Sequence, residues 1–206
     1  MDHRLKRHVD SMSSKSIVTT DKKQAILHSA LQLFVNKGFN ATSTASIAKA
    51  AGVATGTLFH HFPTKKDIMN QLFLSIKQEF ATNMVSSTDF SGDIERDANT
   101  LWQKAIDWAI AQPLKQLFFL QYSMSADIDA DVRKQAMNSI LGFVVELITQ
   151  GKQQQIIADI PNALLLENCH GQYLAAIRFF TDNPHLGDDE IHRKASFRLF
   201  WQAMKA

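Results

Sequence analysis

Cysteine is all but missing from this 206-residue chain, where Cys169 stands alone. A single thiol excludes an internal disulfide framework and is compatible with a reducing cytoplasm. No apolar run approaches the roughly 18 residues that a membrane-spanning helix needs. The polar, basic N-terminus has no apolar signal segment, so nothing marks the chain for export and a cytoplasmic location is expected. Strand-like alternation is absent and glycine is scarce, with 8 residues in all. That pattern speaks for helices and against a sheet. The chain also lacks a glycine-rich phosphate loop, a His-x-x-x-His or paired-cysteine metal spacing, and a nucleophile elbow. Cys169 and His170 are neighbours, but adjacent residues on a helix point apart, and a catalytic pair needs converging side chains. No enzyme, metal or cofactor is expected; a small helical enzyme is kept only as the rival from another class.

What is present is an ordinary globular composition with an uneven charge. Hydrophobic residues make up 45% and charged residues 20%, enough for a sizeable core. Residues 1–66 hold 10 Lys and Arg against 3 Asp and Glu, a balance of +7. Residues 67–206 hold 12 against 17, a balance of −5, and the two account for the overall +2. A basic head on an acidic body suggests a head that meets a polyanion; a merely solvated charged surface has the same composition.

Helical periodicity organises the rest. Residues 1–20 have no periodicity and read as a mobile arm whose Arg4, Lys6, Arg7 and Lys15 could add phosphate contacts. Asp21 and Gln24 make a capping-box-like start for a first helix carrying Ile26, Leu27, Ala30, Leu31 and Phe34, which Gly38 ends. Thr42, Ser43 and Thr44 are N-cap candidates for a short second helix to Ala51, with Thr44 favoured; Gly52-Val53 is a tight turn before a third helix over Thr55–His61. Pro63-Thr64 restarts the chain as a longer fourth helix with Ile68, Leu72, Ile76 and Phe80. After a loop over 86–92, helices are expected at about 94–111, from Pro113, from the acidic stretch Asp127, Asp129, Asp131 to about Gln154, from Pro161 and from Asp188. The expected architecture is all-α with nine helices. A flexible arm (1–20), a compact basic head (21–66) and a longer helical body (67–206) follow in order.

The segment over Thr44–His61 carries the functional signal. Ala48 lies four before Gly52, as the close crossing of two helices demands, and Ile47, Val53 and Leu58 can bury against the first helix. The helix after the turn opens with small hydrogen-bonding residues, Thr55 and Thr57, which can approach a groove closely. Phe62 reads as core and Phe59 as groove-facing. His60 and His61 make a poor chelate, because neighbours on a helix diverge by about 100°.

Residues 21–68, above all the stretch STASIAKAAGVATGTLFHHFPTKKDI at 43–68, resemble the N-terminal domain of TetR-type regulators over roughly a quarter of the chain. The resemblance implies a helix-turn-helix DNA-binding domain over 21–66 joined to a helical effector-binding and dimerisation domain over 67–206. The resemblance implies phosphate contacts from Thr44 and Thr55, a close backbone approach at Gly56, and entry of Thr57 and the ring of Phe59 into the major groove. It also implies phosphate contacts from His61 and Lys65. Two departures stand out. Phe59 replaces the usual tyrosine, which removes a phenolic hydrogen bond, and His60 stands where an aromatic residue is common. The implied function is a sequence-specific transcriptional regulator, a repressor released from double-stranded operator DNA by a small effector. The alternative is a TetR-like DNA-binding protein whose body serves protein partners.

Two further surfaces follow. The last helix has two apolar stripes, Phe197, Phe200, Trp201 and Met204 on one side and Ile191, Ala195 and Leu199 nearly opposite. Two buried sides predict a homodimer, with Tyr173 and Ile177 of the preceding helix completing the interface with Ile191, Ala195 and Leu199. In a TetR-like body, helices would enclose a cavity for a small, largely apolar effector. The candidate contacts there are Trp102, Phe118, Tyr122, Phe143, Asn168 and His170.

Overall fold

The computed structural model describes residues 21–86 and 88–206. The basic arm expected over residues 1–20 lies outside them. Ten α-helices follow in order: α1 (21–37), α2 (Thr44–Ala50), α3 (Thr55–His61), α4 (Lys65–Val85), α5 (Ile94–Ala111), α6 (Pro113–Tyr122), α7 (Ala130–Gln135), α8 (Gly142–Gln153), α9 (Asn162–Asp182) and α10 (Glu190–Gln202). Strand-type pairing among the described residues is confined to one isolated bridge, Ile157 with Lys205. The chain folds as two compact units, one ending at Leu72 and the other running Phe73–Ala206, with α4 beginning in the first and ending in the second.

In the first unit, Ile26, Leu27, Ala30, Leu31 and Phe34 recur at helical spacing and are buried. Asp21 is already helical, so the capping start expected at Asp21 and Gln24 is not the cap. Gly38 ends α1 with φ +82°, a conformation that costs other residues a Cβ clash. The loop that follows is stitched by Thr42, whose buried hydroxyl donates to the Gly38 carbonyl at 2.8 Å. Ser43, one residue before the favoured Thr44, is the N-cap of α2, its hydroxyl accepting from the Ser46 amide at 3.1 Å. Gly52, at φ +65°, makes the turn, and the Val53 amide closes it on the Ala48 carbonyl at 3.0 Å. Thr64 and Asp67 cap α4 reciprocally: each backbone amide donates to the other's side-chain oxygen, at 2.9 and 3.1 Å.

The second unit is a helical bundle. Asp93 caps α5 through the Arg96 amide. Asp97, buried one turn further on, accepts from the Ser91 amide and hydroxyl and from the Gly92 amide, tying down the preceding loop. Trp102 joins α5 to α10, stacking on Phe200 with ring centroids 4.5 Å apart and donating to the Ser196 hydroxyl. The chain end folds back, Ala158 and Ala206 donating to the carbonyls of Met204 and Ile156.

The body departs from expectation at one helix. The single helix expected up to about Gln154 is two, α7 and α8, so the described residues hold ten helices and not nine. Between them, Ala136–Ile140 is a π-turn closed by Leu141 donating to Ala136, and a further turn at Leu141 precedes Gly142. A π-turn inserts one residue into the ladder and rotates the apolar face on either side of it. Apolar periodicity alone does not reveal that insertion.

Candidate nucleic-acid interface and body cavity

In the first unit, α3 is held from below and open above. Leu58 is fully buried and Phe62 nearly so, which fixes the rotation of this short helix. The opposite side presents Thr55, Gly56 and His60 to solvent, with Phe59 44% exposed and Thr57 partly so. Phe59 is thus the one apolar residue of α3 that its own unit leaves largely uncovered. Thr44, at the first position of α2, is partly exposed.

His61 is partly buried at the end of α3. Burial first, then the charges of His60, Lys23 and Lys22, hold its imidazole below the ordinary histidine value. Lys23 also lies over the Phe62 ring at 5.8 Å. A positive field thus converges at the end of α3, and Lys22 and Lys23 join it from α1. Sequence reading missed both. Their signal was present as a Lys-Lys pair at the start of the first helix, but nothing local said which element that pair would face.

The Lys65 ammonium donates to the carbonyls of Phe39 at 2.7 Å and Thr42 at 2.9 Å and lies 4.2 Å from the Phe39 ring centroid. Two of its three donors hold the loop between α1 and α2 together, a clamping role that sequence reading missed and that leaves one donor for the expected phosphate contact.

The body encloses a cavity of about 120 Å³. Of the six residues expected to line it, Trp102, Phe143 and His170 do. Phe118, Tyr122 and Asn168 do not. Phe118 and Tyr122 pack on each other in the core with ring centroids 5.1 Å apart, and the Asn168 amide is directed to the Met204 sulfur and to Gln172. Four residues around the π-turn, Met137, Leu141, Phe143 and Val144, are on the wall, so the break in the helix lies at the cavity.

The wall is almost wholly apolar, with one cation. Lys77 is 2% exposed and lies 4.4 Å from the Phe119 ring centroid and 5.7 Å from that of Phe73. Burial pushes its ammonium down to about 8. Burial, and then the Lys77 charge, push His170 down to about 3, so its ring is neutral, and its buried Nε2 has no partner. The Tyr173 hydroxyl donates to Gln116 Oε1 at 3.0 Å, and burial pushes its pKa well above the ordinary tyrosine value, keeping it neutral. Burial likewise pushes the Cys169 thiol up to about 12, too high for a nucleophilic thiolate at neutral pH. Lys77 could have been found in the sequence. It lies four residues after Phe73 and three before Phe80, on the apolar face of α4.

The expected dimer residues divide. On α10, Ile191 is 76% and Leu199 74% exposed, with Ala195 exposed between them, while Phe197, Trp201 and Met204 are buried. On α9 the choice of Tyr173 and Ile177 is wrong: both belong to the inward stripe with Leu166 and Phe180, Tyr173 on the cavity wall and Ile177 in the core. The outward stripe of α9 is Leu164, Gly171, Ala175 and Phe179. Among the described residues, no group of three His, Cys, Asp or Glu side chains gathers as a metal site, and no helix is long and apolar enough to cross a membrane.

A two-unit helical protein whose first unit is a helix-turn-helix head with an open third helix is, by class, a nucleic-acid-binding module on a helical body. The family model of bacterial regulatory proteins of the tetR family matches residues 26–72. A crystal structure of a tetR family transcription regulator from Shewanella sp. PV-4 is 56% identical, covering 90% of this chain and 98% of that one with a TM-score of 0.88. The chain therefore belongs to the TetR family of helix-turn-helix transcription regulators. A TetR family regulator from Marinobacter aquaeolei VT8 shares the fold at 22% identity, covering 90% and 96% of the two chains with a TM-score of 0.78. The HTH-type transcriptional regulator AcrR of Shigella flexneri is 42% identical over 53 residues, 26% of this chain and 25% of that protein. The match thus spans about a quarter of that relative's length.

Proposed function

We propose that this chain is a cytoplasmic repressor that binds operator DNA as a homodimer and releases it when a small molecule fills the body cavity. The observation that carries the reading is α3. Leu58 and Phe62 anchor it, and Thr55, Gly56, Thr57, Phe59 and His60 are left open at the end of the chain that carries the excess of positive charge. Small residues at its start let the helix settle into a major groove, where Thr57 and the Phe59 ring meet base edges and thymine methyls. Thr44, Thr55 and the Gly56 backbone meet phosphates, joined by His61 with Lys22 and Lys23.

A dimer supplies two such heads, and the open stripe of Ile191, Ala195 and Leu199 on α10, with Leu164, Ala175 and Phe179 on α9, supplies the apolar contact. The cavity favours a small effector over a body devoted to protein partners, because a filled core would serve the latter equally well. An effector that binds one state of the body better than the other shifts the operator equilibrium by that difference and no more. No catalytic role is assigned. Salt-controlled binding of the full-length protein to genomic fragments tests the proposal: a set of fragments preferred over bulk DNA by at least 10³-fold supports it. Uniform binding to every fragment, lost together as salt rises, sinks it.

A further inference from the structure

Lys77 is a buried positive charge without a negative one. Its ammonium carries three N–H donors, and among the described residues it makes no hydrogen bond and no ion pair. The faces of Phe119 and Phe73 offer it only the weak attraction of aromatic rings. Buried charges in folded proteins are ordinarily paired, because an unpaired one forfeits its hydration for nothing. Beside it, on the same cavity wall, the Nε2 of a neutral His170 is buried without a partner and can donate in its Nε2–H tautomer. Away from these two groups the wall is apolar, with Trp102, Leu101 and Val144 among its residues.

We infer that the cavity takes a small amphiphile with a single anionic head, a carboxylate on an apolar body, its head seated on the Lys77 ammonium with His170 as the second donor. The inference rests on the reading of this cavity as the effector site and narrows the chemistry of the effector. A cationic ligand would meet like charge at short range in a poorly screened interior. A neutral apolar ligand would fill the space and leave the ammonium as bare as before. Only an anion turns the buried charge from a cost into an attraction. The volume, about 120 Å³, is of the order of a cavity that admits one benzene ring, so the body is a short chain or a single ring. Met84 and Met137 on the wall can yield to an irregular outline.

The test is calorimetric titration of the full-length protein near pH 7 with hexanoate, hexanamide and hexylamine, which share a chain and differ in head charge. Hexanoate is expected to bind at least tenfold more tightly than hexanamide, with hexylamine weakest. Lys77→Met is expected to abolish the preference for the acid, and Lys77→Arg to restore it. If hexanamide or hexylamine binds the wild type as tightly as hexanoate, or if Lys77→Met still prefers the acid, the inference is overturned while the cavity remains a ligand site. If none of the three binds the wild type or the methionine variant at millimolar concentration, the inference falls together with the reading of the cavity beneath it.

Discussion

Replacing Lys77 by methionine stabilises the unliganded body near neutral pH, contrary to the rule that core substitutions destabilise. Burial moves the Lys77 ammonium from 10.5 to about 8. At 1.36 kcal/mol per pH unit of displacement, keeping it charged in the fold costs about 3 kcal/mol at pH 7. Attraction to the Phe119 and Phe73 rings returns about 1–2 kcal/mol. Methionine has nearly the same length, fills irregular gaps and carries no charge. The net gain is therefore about 1–2 kcal/mol. The sign with pH follows from proton binding. Between pH 8 and 10.5 the unfolded chain holds a proton on Lys77 that the folded chain has released, so the unfavourable contribution of Lys77 is relieved as pH rises through that window. The advantage of Lys77→Met is full below pH 8 and fades toward 10.5. Cys169 and Tyr173, whose ionisation burial also delays, lower stability over the upper part of this range, but they do so in wild type and variant alike and cancel in the difference. Urea unfolding followed by tryptophan fluorescence is the assay, because Trp102, Trp108 and Trp201 all lie in the second unit and report on the body alone. A variant less stable than the wild type at pH 7, or a gap that does not change between pH 7 and 10, refutes the reasoning.

The other predictions concern the head and the outer face. Phe59→Ala leaves the stability of the head within about 0.5 kcal/mol, because the ring is open to solvent. It weakens binding to the preferred operator by about 1–3 kcal/mol in gel-shift titrations while binding to bulk DNA holds. Lys65→Met behaves in the opposite way. Losing two donors to the Phe39 and Thr42 carbonyls lowers head stability by about 1–3 kcal/mol, and the dependence of DNA affinity on salt stays as it was. A salt slope reduced by about one ion would instead make Lys65 a phosphate contact. Leu199→Glu places a charge in the middle of the open α10 stripe. Sedimentation at micromolar concentration is expected to change from dimer to monomer with the circular dichroism spectrum intact, and a dimer that persists removes this face from the interface.

Much of the head was legible from the sequence because its determinants are local. A helix stop at Gly38 and a turn at Gly52 both require positive φ, and the chain supplies glycine at each. The bounds of α3 were read as Thr55–His61, and those are the bounds found. The assignment of Leu58 and Phe62 to the core and Phe59 to the outside needs only helical geometry and the knowledge of which side is anchored. The two stripes of α10 were legible for the same reason. Lys65 was not, because its partners, Phe39 and Thr42, lie more than twenty residues away along the chain and meet it only after the head has folded.

The body shows where local pattern ends. On α9 two stripes were available, and the one bearing Tyr173 and Ile177 turned inward while Leu164, Ala175 and Phe179 stayed open. Nothing within a helix says which of two apolar faces its neighbours will cover. Phe118 and Tyr122 differ from Phe143 only in position relative to a cavity that no single segment encloses. Lys77 stands out in the sequence as a lysine on the apolar face of α4, but that it faces a cavity without a negative partner is decided only when residues of α5, α6, α8 and α9 close around it. Sequence by itself determined where the head turns at Gly38 and Gly52, where charge accumulates and which short helix is built to be read from outside, since these follow from backbone geometry and spacing of 3.6 residues. Only the tertiary structure decided which faces meet, what space they leave and which charge is stranded inside, because burial belongs to the assembled chain and to no residue alone.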